Sequence, residues 1–133
     1  MRLVFAIAAA ALVAQAARTV WDGAYSAAQA TRGAAVYTER CESCHGQDLG
    51  GIGQAAPLIG DDFRMEWNDQ SLNDLFERTR VSMPADKPGS LERQQVADVI
   101  AFLLQKNGFP TGSSDVPTAA DALGAVKILA KKP

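Results

Sequence analysis

Histidine, cysteine and aromatic residues are all scarce in this chain of 133 residues. It has one histidine and two cysteines, and aromatic residues make up 7%. A single histidine excludes any site that needs two imidazole groups from one chain. The formal net charge is −2, so the chain lacks the basic excess typical of nucleic-acid binding. Both thiols and the one imidazole lie within CESCH, at positions 41–45.

Only the N-terminus is strongly hydrophobic. Arg2 is followed by an apolar run from Leu3 to Ala14 and by Ala-Gln-Ala at 14–16, which is typical of a secretory signal peptide cleaved after Ala16. The run is shorter than the about 20 residues that a membrane-spanning helix needs, and no cysteine near the cleavage site could hold a lipid anchor. We expect a periplasmic or secreted protein with no membrane span in its mature chain.

The rest of the chain suits one small domain with a modest core. It contains no repeat, no low-complexity tract and no strand with clean apolar–polar alternation, which favours an all-α fold. The predicted division is a signal peptide (1–16), an N-terminal extension (17–25), a central domain (26–108) and a C-terminal extension (109–133) that packs on the domain or flanks it.

The first predicted helix leads directly into the cysteine motif. It runs from Ser26, a favourable N-cap residue, to about Cys41, is rich in alanine and lacks proline. Three-and-four spacing gives it one apolar stripe, which consists of Ala30, Ala34, Tyr37 and Cys41. The helix therefore presents the motif at its C-terminal end.

A short helix is predicted over residues 71–80. Ser71 and Asp74 form a variant of the capping box at its start. The helix ends before Met83, because the residue that precedes a proline is disfavoured in a helix.

A third helix is predicted between an N-cap at Ser90 and the breakers Gly108 and Pro110. Its apolar stripe consists of Val96, Val99, Ile100 and Leu103. Residues 46–66 contain five glycines and no sustained period, so we expect a long irregular loop there. The C-terminal extension is expected to hold a short helix capped at Thr118.

The C-x-x-C-H motif is the attachment sequence of c-type haem. Cys41 and Cys44 lie three positions apart on a helical turn and can form thioethers with the two vinyl groups of haem, while His45 directs an imidazole nitrogen at the iron. We therefore predict haem c, covalently bound through both cysteines. Haem would also add apolar bulk to a small core.

Two other sites use the same residue types. A disulfide or a thiol–disulfide active site also contains C-x-x-C, but the active site normally lies in a strand–helix–strand setting, which this sequence lacks. A structural zinc site needs four ligands, and two cysteines with one histidine leave it short. Haem is the interpretation that accounts for all three residues.

The second axial ligand of the iron is a methionine or is absent. After signal cleavage the candidates are Met65 and Met83. Met83 is favoured because it follows a helix and precedes Pro84, which stiffens the loop. Met65 lies in the irregular segment, where a methionine more often fills a gap in the core. An iron held by His45 and Met83 has no free position for oxygen or peroxide and passes single electrons.

With these residues the chain resembles a class I c-type cytochrome with one haem over about residues 26–106. That family has a glycine and an aromatic residue eight and four positions before the first cysteine, as Gly33 and Tyr37 stand here. They pack against the last helix, where Val99 and Phe102 match. The resemblance implies the cytochrome c fold, in which three main helices and long loops wrap around one haem.

The resemblance also implies roles for residues after the motif. Pro57 matches a proline whose carbonyl accepts the imidazole N–H of the ligand histidine. Leu58 or Ile59 would then lie against the haem, and the spacing does not choose between them. Trp67 resembles a tryptophan whose indole N–H reaches a haem propionate, and the alternative is a partly buried core tryptophan.

Together these features predict a one-electron carrier between exported redox proteins, not an enzyme. Its complexes with redox partners would be transient, and the chain is expected to be a monomer. Two alternatives stay open. One is a haem subunit of an exported dehydrogenase or oxidase complex, and the other is a small peroxidase-like or gas-binding haem protein with an open sixth position.

Overall fold

A computed structural model describes residue 17 and residues 19–133 of the chain. Helices are the main secondary structure in this part. The α-helices of this part of the chain are α1 (Ala27–Arg40), α2 (Glu42–His45), α3 (Gly60–Glu66), α4 (Leu72–Ser82), α5 (Arg93–Lys106) and α6 (Ala120–Gly124), and a 3-10 turn covers Val20–Asp22. Within the same residues there is no strand, only isolated bridges from Lys127 to Thr19 and to Ser71. The all-α prediction is confirmed. The predicted signal peptide, residues 1–16, lies outside the described residues.

The central feature of the fold is the close crossing of α1 and α5. A β-carbon added to Gly33 would lie 1.8 Å from the carbonyl oxygen of Asp98 and 2.9 Å from Cβ of Phe102, so only glycine permits this approach. One turn later, the ring centroids of Tyr37 and Phe102 lie 5.3 Å apart. The predicted packing of Gly33 and Tyr37 on the last long helix is thus confirmed for Phe102. Val99 is also buried, with 2% exposure.

Local capping signals place the starts of α1 and α4. The Ser26 hydroxyl accepts a hydrogen bond from the Gln29 N–H at 3.1 Å, and α1 begins at the next residue as predicted. At α4, the Asp74 carboxylate accepts the Ser71 N–H at 2.8 Å, and the Asp74 N–H donates to the Ser71 hydroxyl at 3.2 Å. This reciprocal capping box confirms the predicted start. The helix ends at Ser82, directly before Met83.

The start of α5 differs from the prediction. Its N-cap is Glu92 and not Ser90, because Glu92 and Gln95 form a reciprocal capping box. The Ser90 hydroxyl instead accepts a hydrogen bond of 2.6 Å from the Arg40 guanidinium. Ser90, which is predicted to cap α5, therefore makes a long-range contact with α1 instead.

The segment predicted as an irregular loop also contains a helix. Its last seven residues form α3. Asp61 and Asp62 lie in the first turn, where negative charge interacts favourably with the helix dipole. Phe63 anchors the helix in the core with 2% exposure. The sequence does not predict α3, because the glycines of this segment indicate a loop.

None of these described helices is long and apolar enough to span a membrane. The tail helix α6 begins after Ala119 and not after the predicted cap Thr118. The Thr118 carbonyl accepts hydrogen bonds from the guanidinium of Arg93, the nearer at 2.5 Å. The Thr118 backbone thus ties the tail to α5.

The C-terminal tail contributes a large share of the core. Its buried apolar residues, each no more than 5% exposed, are Phe109, Val116, Leu123, Val126 and Ile128. Full burial of one such side chain stabilises the fold by about 1.5–3 kcal/mol. The backbone of the tail also bonds two distant segments: Lys127 O accepts the Val20 N–H at 3.0 Å, and Val126 O accepts the Leu72 N–H at 2.9 Å. The tail therefore ties the 3-10 turn at Val20–Asp22 to α4.

Candidate functional site

The cysteine motif lies on one helical turn at the end of α1. Cys41 closes α1, with its N–H bonded to Tyr37 O at 2.9 Å, and it precedes α2, which contains Cys44 and His45. The N–H groups of Cys44 and His45 both bond to Cys41 O, at 3.2 and 3.0 Å. The two cysteines form no disulfide with each other; Cys44 is exposed and Cys41 half-buried. The predicted placement of the motif on a helical turn is confirmed.

The Cys41 thiol is poorly suited to redox nucleophile chemistry. Its pKa is raised to about 11, chiefly by burial, while the Arg40 charge acts to lower it and the nearby Cys44 acts to raise it. A reactive cysteine needs a pKa below that of a free thiol, because the thiolate is the nucleophile. The Cys41 thiolate is therefore not favoured as a nucleophile at neutral pH.

His45 is oriented by a hydrogen bond to the following loop. Its ring is buried, with 9% exposure, and Nδ1 lies 2.8 Å from the carbonyl oxygen of Ala56. A carbonyl oxygen can only accept, so Nδ1 holds the proton and Nε2 keeps its lone pair for a metal. The expected acceptor was the carbonyl of Pro57. The acceptor is one residue earlier, because the backbone pairing of Leu58 N–H with Leu49 O at 2.8 Å brings the Ala56 carbonyl to the ring.

The backbone after His45 is also held firmly. The Gly51 N–H donates to His45 O at 2.8 Å, and the Tyr37 hydroxyl donates to Gly46 O at 2.6 Å. Burial, together with nearby acidic groups, raises the pKa of Tyr37 to about 12, so the hydroxyl stays protonated and a donor at neutral pH. The sequence predicts a packing role for the Tyr37 ring and no partner for its hydroxyl. A buried tyrosine normally bonds its hydroxyl to a partner, and that requirement was the available signal.

Leu58 and Ile59, the predicted apolar contacts of the haem, are half-buried and pack against the core. Their position is set by Asn107, whose side chain donates to Leu58 O and accepts the Gly60 N–H, both at 3.0 Å. Asn107 is 3% exposed and was not identified from sequence, since nothing local distinguishes it from an ordinary helix-end residue. Trp67 closes α3 and is half-buried.

The two candidate methionines lie in different environments. Met83 directly follows α4 and is half-buried, whereas Met65 lies on α3 with 60% exposure. The expectation that Met65 fills a gap in the core is wrong, because the helix turns its side chain to solvent. The loop that begins at Met83 is joined to the end of α1 by the Arg40–Ser90 hydrogen bond.

The residues present fit a covalently attached haem. Two cysteines that form no disulfide, a histidine with Nε2 available and half-buried apolar side chains occur around one helix end. By contrast, no three Cys, His, Asp or Glu side chains converge as ligands of a metal ion anywhere in residue 17 or residues 19–133.

Comparison with protein families finds a match over residues 28–103, which is more than half of the chain, to the family described as cytochrome c oxidase, cbb3-type, subunit III. The matched range begins in α1 and ends in α5, and so includes the motif, the following loop and Met83. Comparisons with curated proteins and with solved structures found no match.

Proposed function

Since the chain belongs to the cbb3-type cytochrome c oxidase subunit III family of class I monohaem cytochromes c, we propose that it carries single electrons through an iron held by His45 and Met83. Haem iron with two protein ligands gains and loses one electron without breaking a bond. Cys41 and Cys44 attach the haem as thioethers, which keeps the cofactor bound in a dilute compartment outside the cytoplasm.

The observation that carries this proposal is the state of His45. Its Nδ1–H is held by the Ala56 carbonyl at 2.8 Å, so Nε2 is the atom left to bind the iron. Hydrogen bonding at the other ring nitrogen fixes the ring orientation and increases the basicity of the ligand. Met83 is the preferred sixth ligand because it is half-buried at a helix end, while Met65 is mostly exposed.

The other predicted site residues determine the surroundings of the haem. Leu58 and Ile59 provide apolar contact and exclude water, which favours the less charged ferrous state. The Trp67 indole N–H is assigned to a haem propionate. The protein works in the periplasm or as a secreted chain, as a monomer, in transient complexes with donor and acceptor proteins, and catalyses no reaction of its own.

A second candidate is a haem subunit of an exported oxidase complex. The specific observation in its favour is the description of the matching family, which names a subunit of cytochrome c oxidase. Purification from the native source distinguishes the two. Stable co-purification with a larger redox enzyme would favour the subunit, whereas a clean monomer in the soluble exported fraction would favour the free carrier.

Optical spectra of the ferric and ferrous protein test the ligands. Met83→Ala should remove the features of methionine ligation and allow rapid binding of carbon monoxide to the ferrous iron. Met65→Ala is the matched control and should leave the spectrum unchanged. An unchanged spectrum in Met83→Ala would exclude Met83 as the ligand, and rapid carbon monoxide binding by the wild-type protein would support an open sixth position instead.

A further inference from the structure

The chain contains two tyrosines, and both are buried with their hydroxyls bonded to backbone carbonyls. Tyr25 is 1% exposed and donates to Phe109 O at 2.7 Å. Tyr37 is 2% exposed and donates to Gly46 O at 2.6 Å. The two bonds are chemically alike, but they hold very different parts of the chain, since Gly46 directly follows the predicted iron ligand.

Gly46 is the point at which the chain leaves the motif turn. Its φ of +87° is in the region that favours glycine, and its N–H bonds to Glu42 O at 2.8 Å. The Gly46 carbonyl is held by Tyr37, and the carbonyl of His45, one residue earlier, accepts the Gly51 N–H at 2.8 Å. The direction in which the backbone leaves His45 therefore depends on a small set of bonds, one of which comes from a side chain of α1.

We propose that the Tyr37 hydroxyl is a positioning group for the proximal histidine. By fixing the peptide between Gly46 and Gln47 it restrains the backbone that directly follows His45, while the Ala56 carbonyl fixes the ring. The proposal rests on the proposed function in that His45 is the iron ligand. It adds that the family's aromatic packing position has a second role in this chain, which its hydroxyl oxygen performs and its ring does not.

Loss of the hydroxyl leaves the Gly46 carbonyl without its partner in a buried place. The loop after the motif then opens more often, because the peptide between Gly46 and Gln47 gains freedom. The ring of Tyr37 is not needed for this effect, because its contact with Phe102 persists in phenylalanine. Tyr37→Phe thus separates the hydroxyl from the packing.

Tyr25→Phe is the matched control. It removes the same atom from a side chain that is equally buried, and it frees the carbonyl of Phe109, which lies in the C-terminal tail and far along the chain from the motif. If both hydroxyls have a merely structural role, the two variants should differ from the wild type in the same way.

The test is native-state hydrogen exchange of the reduced holoprotein, together with its midpoint potential. In Tyr37→Phe we expect the Gly51 amide, which bonds to His45 O, to exchange about tenfold faster than in the wild type, and the midpoint potential to shift. In Tyr25→Phe both quantities should match the wild type, although both variants lose global stability. Equal Gly51 exchange and equal potentials in the two variants would overturn the proposal. Absence of covalently bound haem in the wild type would instead contradict the proposed function.

Discussion

Gly33 and Asp98 approach so closely that a β-carbon on Gly33 would lie 1.8 Å from the Asp98 carbonyl oxygen. That oxygen belongs to the backbone of α5 and cannot rotate away, so α1 and α5 would have to separate. Gly33→Ala should therefore lower the free energy of unfolding by about 3 kcal/mol, at the upper end of typical overpacking costs.

Denaturant unfolding of the holoprotein measures this loss. Gly124→Ala is the control, since Gly124 lies at the end of α6 and an added β-carbon meets no atom within 4 Å. It should leave stability unchanged or raise it by up to about 1 kcal/mol. A similar loss in both variants would mean that close helix contact is not the reason for glycine at position 33.

The tail should be an integral part of the core. Leu123 is 0% exposed, and Leu123→Ala should cost about 2–5 kcal/mol through lost burial and the cavity it leaves. Val81→Ala is the control, because Val81 is 59% exposed and its truncation should change stability by less than about 0.5 kcal/mol. Chemical unfolding of both variants gives the comparison, and a near-zero effect of Leu123→Ala would show that the tail only flanks the domain.

Asp115 should make the attachment of the tail dependent on pH. Its pKa is lowered, first by the hydrogen bond from Ser26 and then by Arg32, whose guanidinium lies 2.9 Å away. A carboxyl group with a lowered folded-state pKa contributes stability above its unfolded pKa, and this contribution is lost as pH falls through the folded value.

Asp115→Asn should therefore be less stable than the wild type at pH 7, and the difference should vanish under acid conditions below the lowered pKa. Unfolding curves measured from neutral pH down to about pH 2 would show this convergence. Glu39→Gln, on an exposed side chain of α1, should show no comparable pH-dependent difference. A difference in Asp115→Asn that stayed constant across the range would contradict the assignment.

Arg40 should stabilise the loop that contains Met83. Its guanidinium donates to the Ser90 hydroxyl at 2.6 Å and so joins the end of α1 to the far end of that loop. Arg40→Ala and Ser90→Ala should each weaken the closed loop by about 1–2 kcal/mol, and the double variant should add little.

Carbon monoxide binding to the ferrous protein reports this change, because under the proposed ligation Met83 must leave the iron before carbon monoxide can bind. We expect binding to become about 5–30-fold faster in either single variant, the factor that corresponds to 1–2 kcal/mol. Lys131→Ala, on an exposed side chain of the tail, is the control away from the loop. Additive effects of the two single variants would indicate that the bond itself does not hold the loop.

Much of the fold follows from short stretches of sequence. Ser26 and the Ser71–Asp74 pair cap α1 and α4 because capping joins atoms only three residues apart. The placement of Cys41, Cys44 and His45 on one helical turn follows from the predicted helix that leads into the motif and from the spacing of the three residues. The resemblance to a family identifies Gly33. The close contact of α1 and α5 is possible there because glycine has no β-carbon.

Only the tertiary structure decided how the loops meet the site. The Ala56 carbonyl and not that of Pro57 reaches His45, Ser90 bonds Arg40 instead of capping α5, and the Tyr37 hydroxyl bonds Gly46. Each of these contacts depends on where a long loop is held by residues far along the chain, such as Asn107. A sequence pattern shows local spacing and so indicates which groups can form hydrogen bonds. Which of several suitable carbonyl or hydroxyl groups forms a given bond depends on the packing of segments that lie far apart in the chain.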